Sequence, residues 1–174
     1  MDYPPMKERP KKESDRFMRI AIAQARKSAR AGRIPIGNVL VRNGRIIGCS
    51  HNQRVQKQNP ILHAEIDCLQ NAGRQRTYRG TTRYSTLMPC HLCAGAVVQS
   101  GIKKVVVGES MTCQGAKRFL RAHKVKIVDL LSDECKRLMA DLPSKTRSFA
   151  QRHRKITFIG QKEHVRRIFI RLAP

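Results

Sequence analysis

Tryptophan is missing from this sequence altogether, and aromatic residues make up only 5% of it. A set so sparse and scattered excludes the interleaved stacking platform on which single-strand nucleic-acid binders lay successive bases. No apolar run is long enough to span a bilayer, and Met1 to Lys12 is polar and proline-containing without the apolar stretch of a secretory leader. The expectation is an intracellular protein with no membrane association, cytoplasmic, with the nucleus as a second candidate compartment. Acidic residues are few as well: 12 Asp and Glu stand against 36 Lys and Arg, for a formal net charge of +24 and a pI near 10.9. Such a field attracts RNA, DNA and anionic headgroups with little sequence preference. The basic residues are nevertheless dispersed, at Arg26, Lys27, Arg30 and Arg33, at Arg74, Arg76, Arg79 and Arg83, and at Lys117, Arg118 and Arg121. They read as a solvated basic surface, with non-specific nucleic-acid binding as the functional alternative.

Six cysteines in an intracellular chain point to metal and core roles rather than to a disulfide framework. Cys49, Cys68 and Cys135 read as small core residues. Cys90 and Cys93 form a Cys-x-x-Cys pair with no second such pair to complete a zinc ribbon. Alone, the pair would also fit a redox dithiol. What distinguishes it is Pro89 immediately before it and His63-Ala64-Glu65 upstream. If one helix opens at His63, then His63 and Glu65 share its first turn. If a second opens behind Pro89, Cys90 and Cys93 lie on one face of it, and its dipole favours their thiolate forms. One imidazole and two thiolates make three zinc ligands, which leaves a fourth position for water, whereas four protein ligands would close the site. Glu65 stays outside the ligand set as an acid–base group. The expectation is one zinc ion per chain on His63, Cys90 and Cys93. His91 offers a rival imidazole but reads as a helix-surface residue.

By length the chain is one domain with room for a sizeable core. Residues 1–13, carrying Pro4, Pro5 and Pro10, read as a disordered arm, 14–142 as the folded domain and 143–174 as a basic tail. Ser14 or Asp15 can cap a helix running to about Ala31, with Phe17, Ile20, Ala21, Ala25 and Ala29 on one face and Gly32 ending it. Ile36 to Val41 and Arg45 to Gly48 flank Asn43-Gly44, a strong hairpin signal. A loop carrying Asn52 leads to the His63 helix, which stops near Gly73. There follow a strand Thr82 to Leu87, the Cys90 helix ending at Gly101, a buried strand Lys103 to Val107, a helix around Gln114 to His123, a strand Val125 to Leu130, and a helix from Ser132 to about Leu142. This order predicts an α/β fold, a three-layer α/β/α sandwich around a mixed sheet of about five strands, with the His63 and Cys90 motifs where strands hand over to helices.

The His-x-Glu…Pro-Cys-x-x-Cys pattern is already known as a signature of zinc-dependent base deaminases. Beyond it, Ile34-Pro35-Ile36-Gly37, Ser50-His51-Asn52 with Arg54 and Gln56-Lys57, Asn71-Ala72-Gly73-Arg74, Ser85-Thr86-Leu87-Met88-Pro89-Cys90 and Val105-Val106-Val107-Gly108-Glu109 resemble blocks of the cytidine-deaminase-like superfamily. Within it they look most like the fungal-type cytosine deaminases and related bacterial nucleobase deaminases. Transfer-RNA adenosine deaminases share His-Ala-Glu and Pro-Cys-x-x-Cys-Ala-Gly-Ala but not the His51-Asn52-x-Arg54 and Arg74 blocks, so the resemblance favours a free base. The resemblance implies hydrolytic deamination of cytosine to uracil and ammonia, as in pyrimidine salvage, by a homodimer. It also implies that Glu65 shuttles protons, Asn52 hydrogen-bonds the pyrimidine, the Ala64 amide assists at its carbonyl and Leu87 lines the floor. A side-chain amide suits that task, and a turn residue bonding its own backbone is the lesser alternative for Asn52. For the dimer, an apolar face with Ala94, Val97 and Val98 is available on the Cys90 helix.

Two departures accompany the resemblance. Cys113 falls where related chains carry an aromatic lid, and the Trp and acidic pair that close the family's C-terminal end have no counterpart, since Glu163 is the single acid after Leu142. A genuine basic extension and a segment foreign to the domain both fit the residues from Pro143 onward. An open pocket would admit a polymer, so a deaminase of adenosine or cytidine in RNA or single-stranded DNA is a second reading. A zinc-stabilised, basic nucleic-acid-binding protein with little catalysis is a third.

Overall fold

The computed structural model describes residues 11–142. The tail expected over 143–174 and most of the N-terminal arm lie outside the described residues. Helix α1 spans Lys11–Arg30. It therefore starts ahead of the expected caps Ser14 and Asp15 and takes in residues 11–13 of the expected arm, because Lys11, Lys12 and Glu13 are good helix formers. Its buried face is Phe17, Met18, Ala21, Ile22, Ala25 and Ser28. Ala29, expected on that face, is exposed. Ser28 takes the inner place because its hydroxyl donates to the Ile34 carbonyl, at 2.8 Å, where the chain doubles back toward the sheet.

Strands β1 (Gly37–Arg42) and β2 (Arg45–His51) form the expected hairpin. Asn43 and Gly44, at φ 50 and φ 75, both take the left-handed conformation of a two-residue type I′ turn. Then come α2 (Ala64–Ala72), β3 (Thr81–Leu87), α3 (His91–Gln99), β4 (Lys104–Glu109), α4 (Lys117–Ala122), β5 (Lys126–Asp129) and α5 (Asp133–Ala140). Ser132 caps α5 by accepting from the Cys135 amide at 3.3 Å. Helix α4 begins later than expected, since the Ala116 amide is held by the Pro89 carbonyl at 3.0 Å and the residues before it belong to a loop.

The five strands order as β2-β1-β3-β4-β5. β1 is antiparallel to β2 and β3, whereas β3, β4 and β5 run parallel. Alternation sends Val39, Val41, Tyr84 and Val106 toward α1 and α5, and Leu40, Val105 and Val107 toward α2, α3 and α4. The result is the three-layer α/β/α sandwich with a mixed sheet. At the edges, β2 opens on the exposed Arg45 and Ile46, and β5 is four residues long with Lys126 exposed. Among the described residues no helix is long and apolar enough to cross a membrane.

Two glycines let helices approach the hairpin. A Cβ on Gly37 would stand 1.9 Å from the Ala21 carbonyl oxygen of α1, and one on Gly48 would stand 2.5 Å from the Cys68 carbonyl oxygen of α2. Both obstacles are backbone, so neither helix can yield without moving bodily. Gly37→Ala should therefore destabilise the domain by about 1–3 kcal/mol or more, as overpacking does. Gly95 lies within α3 with nothing within 4 Å of an added Cβ, so Gly95→Ala should stabilise by roughly 0.5–1 kcal/mol. Thermal unfolding of the two variants checks the opposite signs.

Candidate metal and acid–base site

Two helix N-termini meet at the carboxyl end of the sheet. His63 is the N-cap of α2 (φ −64, ψ 161) and Cys90 the N-cap of α3 (φ −71, ψ 176). Each helix thus opens one residue later than expected, with Pro89 immediately before the cap of α3. Neither side chain makes a capping hydrogen bond, and both turn toward a common centre. Cys93 joins them from the first turn of α3. His63 Nδ1 lies 3.6 Å from Cys90 Sγ and 3.6 Å from Cys93 Sγ, and the two sulfurs are 3.7 Å apart. Zinc with bonds of about 2.3 Å to sulfur and about 2.0–2.1 Å to nitrogen sets tetrahedral edges of about 3.8 Å between sulfurs and about 3.6 Å between nitrogen and sulfur. The three residues present therefore fit a zinc ion. The rival His91 is exposed on α3.

The electrostatics of this group are those of close, competing acids. The Cys90 thiol is brought down to about 4 by its hydrogen bond with Cys93, with that to His63 adding to it against the opposing effect of burial. Cys93 is pushed well above the usual thiol value by the same Cys90 contact and by burial. His63 is raised: burial opposes its charge, but the Cys90 hydrogen bond and the negative charge of Glu65 outweigh it. A divalent cation among these atoms would favour deprotonation of both thiols.

Glu65, in the first turn of α2, is only 4% exposed. Burial above all, then the charge of Cys90, raises its carboxyl, while His63 and Arg83 pull the other way. Its Oε1 accepts from Ser85 Oγ at 3.5 Å, and its backbone carbonyl accepts from Arg83 Nη1 at 3.0 Å. The same Arg83 nitrogen lies 3.4 Å from Asn38 Oδ1. Arg83 was expected on the solvated basic surface, yet it is fully buried, at 0% exposure. The strand dictates this, because residues 83 and 85 share the face of β3 turned toward α2. Its Nε and Nη2 have no hydrogen-bond acceptor among the described residues. A buried cation of this kind requires compensating charge. Glu65 and Cys93, both coupled to Arg83, are placed to supply it.

Asn52 is buried just beyond β2, and its Oδ1 accepts from the Arg54 amide at 3.2 Å. The turn arrangement is thus present, and it leaves Nδ2 as the group with hydrogens to offer. Ala64, fully buried, occupies the first position of α2, where backbone amides have no intrahelical acceptor. Leu87 packs with Met139, Leu142, Ile36 and Cys113. Ala94 and Val97 are buried in the core between α3 and the sheet, with Val98 packed against it, so the apolar face offered for a dimer is largely covered by the chain itself. Arg83, Ser85 and Asp67 went unassigned as site residues in the sequence. Period-two alternation along Arg83-Tyr84-Ser85 was the one signal that could have found the first two.

Residues 11–109 match the cytidine and deoxycytidylate deaminase zinc-binding region. The cytosine deaminase of Candida albicans is 41% identical over 126 residues, covering 71% of this chain and 84% of that protein. The tRNA-specific adenosine deaminase of Bacillus subtilis is 39% identical over 135 residues, again covering 71% and 84%. A solved structure from work on A-to-I editing by tRNA:A34 deaminases superposes with a TM-score of 0.63 at 27% identity, covering 71% of this chain and 99% of that one. With these likenesses added to the arrangement of His63, Cys90, Cys93 and Glu65, the chain belongs to the cytidine and deoxycytidylate deaminase family of the zinc-binding type.

Proposed function

We propose that this chain is a zinc-dependent hydrolytic deaminase of nucleobase rings, with free cytosine as its substrate and uracil and ammonia as its products. The observation that carries the reading is the triangle of His63, Cys90 and Cys93, with zinc-sized edges, beside the buried carboxyl of Glu65. Zinc held by these three residues would supply Lewis acidity that makes water nucleophilic near neutral pH. Glu65 takes one proton of that water and delivers it to the ring nitrogen beside the carbon under attack, then takes the proton of the hydroxyl now on that carbon and gives it to the amine, which leaves as ammonia as the carbonyl forms. Its raised proton affinity suits both directions of transfer. Asn52 donates from Nδ2 to the base edge, and the Ala64 amide faces the carbonyl. The likeness to the Candida cytosine deaminase supports a free base. A second reading, adenosine within transfer RNA, is supported by the Bacillus relative and by the net charge of +24.

Purified zinc-loaded protein incubated separately with cytosine, cytidine, a transfer RNA and a single-stranded oligonucleotide should release ammonia from cytosine. Release from transfer RNA with none from cytosine would establish the second reading instead. Glu65→Gln should retain zinc and fold while losing at least about 100-fold in turnover, the scale of a positioned acid–base group. Near wild-type turnover would remove Glu65 from the mechanism.

Cys90→Ser and His63→Ala should each lose zinc by metal analysis, and chelation of the parent protein should lower its melting temperature, because the ion would tie two helix starts together. Full zinc content in Cys90→Ser would refute the ligand assignment. A homodimer, as the family resemblance implies, should show by light scattering at micromolar concentration. A monomer there would count against it.

A further inference from the structure

Asp67 lies one turn along α2 from His63, its backbone amide donating to the His63 carbonyl at 2.9 Å. It is a buried carboxylate, 2% exposed, and nothing in the zinc chemistry uses it. Its two oxygens collect three side-chain donors. Ser50 Oγ bonds Oδ2, Lys57 Nζ lies 3.5 Å from Oδ1, and Asn71 Nδ2 lies 3.5 Å from Oδ2. Asn71 also donates to the Cys49 carbonyl at 3.1 Å. Ser50 sits two residues before Asn52 and Lys57 five residues after it. Both flanks of the Asn52 loop are therefore held by one carboxylate on the helix that carries His63 and Glu65.

We infer that Asp67 is a positioning residue for substrate binding: it sets the placement of Asn52 relative to Glu65 through Ser50 on one side and Lys57 on the other. The inference rests on the reading above that Asn52 contacts the base. The loop's own hydrogen bonds, Lys57 to the Gln53 carbonyl at 2.9 Å and Asn59 to the Arg54 carbonyl at 3.0 Å, shape it internally. They do not attach it to α2. The Ser50 and Lys57 side chains do, and a charge-assisted pair fixes orientation more strongly than a neutral one. Lys57 is 53% exposed at its side chain against 3% for Asp67, so solvent weakens that pair and the buried Ser50 contact is the stronger of the two.

The experiment compares Asp67→Asn, Lys57→Met and Asn52→Ala with the parent, in zinc-loaded full-length protein with cytosine as the probe. Asp67→Asn keeps the volume and removes the charge. It should raise KM roughly tenfold, the scale of a lost charged hydrogen bond, with kcat within about twofold and zinc content unchanged. Lys57→Met should do the same more weakly. Asn52→Ala should raise KM at least as much as Asp67→Asn. If Asn52→Ala raises KM and Asp67→Asn does not, or if Asp67→Asn lowers kcat and zinc content together, the positioning role is overturned. If Asn52→Ala leaves KM unchanged, or cytosine is not turned over, the reading of Asn52 fails, and amide hydrogen exchange then decides the role of Asp67 without substrate. Exchange across residues 53–59 should rise several-fold in Asp67→Asn while that of α3 holds. Unchanged exchange in that loop would overturn the anchoring itself.

Discussion

Everything at the site depends on two helices starting at the same place. Helix N-termini carry unpaired amides and a positive end, and bringing two of them together is unfavourable unless something negative lies between. Here the thiols of Cys90 and Cys93 lie there, with the carboxyl of Glu65 close by. His63 and Cys90 are 27 residues apart in sequence, yet both sit in the extended cap conformation with side chains that make no capping hydrogen bond. The strand order explains how they meet, since β3 lies between β1 and β4 and delivers the chain to the start of α3 at the sheet's carboxyl edge. Gly48 permits α2 to lie close enough for its first turn to share that edge.

Charge is distributed in two different ways in this protein. Most of the basic residues named from the sequence are exposed, as Lys27, Arg30, Arg33, Arg74, Arg76 and Arg121 are, and Arg26, exposed as well, pairs with Glu134 at 2.6 Å. Arg83 is the contrary case, enclosed behind the site and coupled to Glu65, Cys68 and Cys93. Two thiolates and one carboxylate carry three negative charges, which a divalent cation and Arg83 would balance, and Arg54, also buried and in the field of Cys90 and Cys93, adds one positive charge. Opposite charges gathered this closely offset much of the cost of burying them.

Much of the architecture was legible because it rests on local rules. Asn43-Gly44 names its turn, Gly73 and Ser132 mark helix ends, and the order of strands and helices implies a covered mixed sheet. His63, Cys90 and Cys93 could be proposed as partners because metal ligation restricts residue type and spacing. Other features depend on contacts that spacing does not encode. Helical periodicity cannot separate Ser28 from Ala29, and only the Ile34 carbonyl decides between them. Arg83 looked like its basic neighbours because composition carries no information on which face of a strand is covered. The Ser50 and Lys57 donors to Asp67 come from a strand and a loop that meet α2 only in the folded chain, whereas Asn71 stands four residues along the same helix.

The edge strands carry one more consequence. Among the described residues β2 and β5 are the outer strands of the sheet, and β2 exposes Ile46 at 41% beside Arg45. Such an edge is a template for pairing with another chain, and basic side chains are one of the ways proteins discourage it. With a net charge of +24, molecules of this protein repel one another before their edges can meet. That protection is electrostatic and therefore borrowed from the solvent: added salt shortens its range to a few ångströms. The ionic strength that screens this charge is also the one at which the edge strands of separate molecules can approach each other.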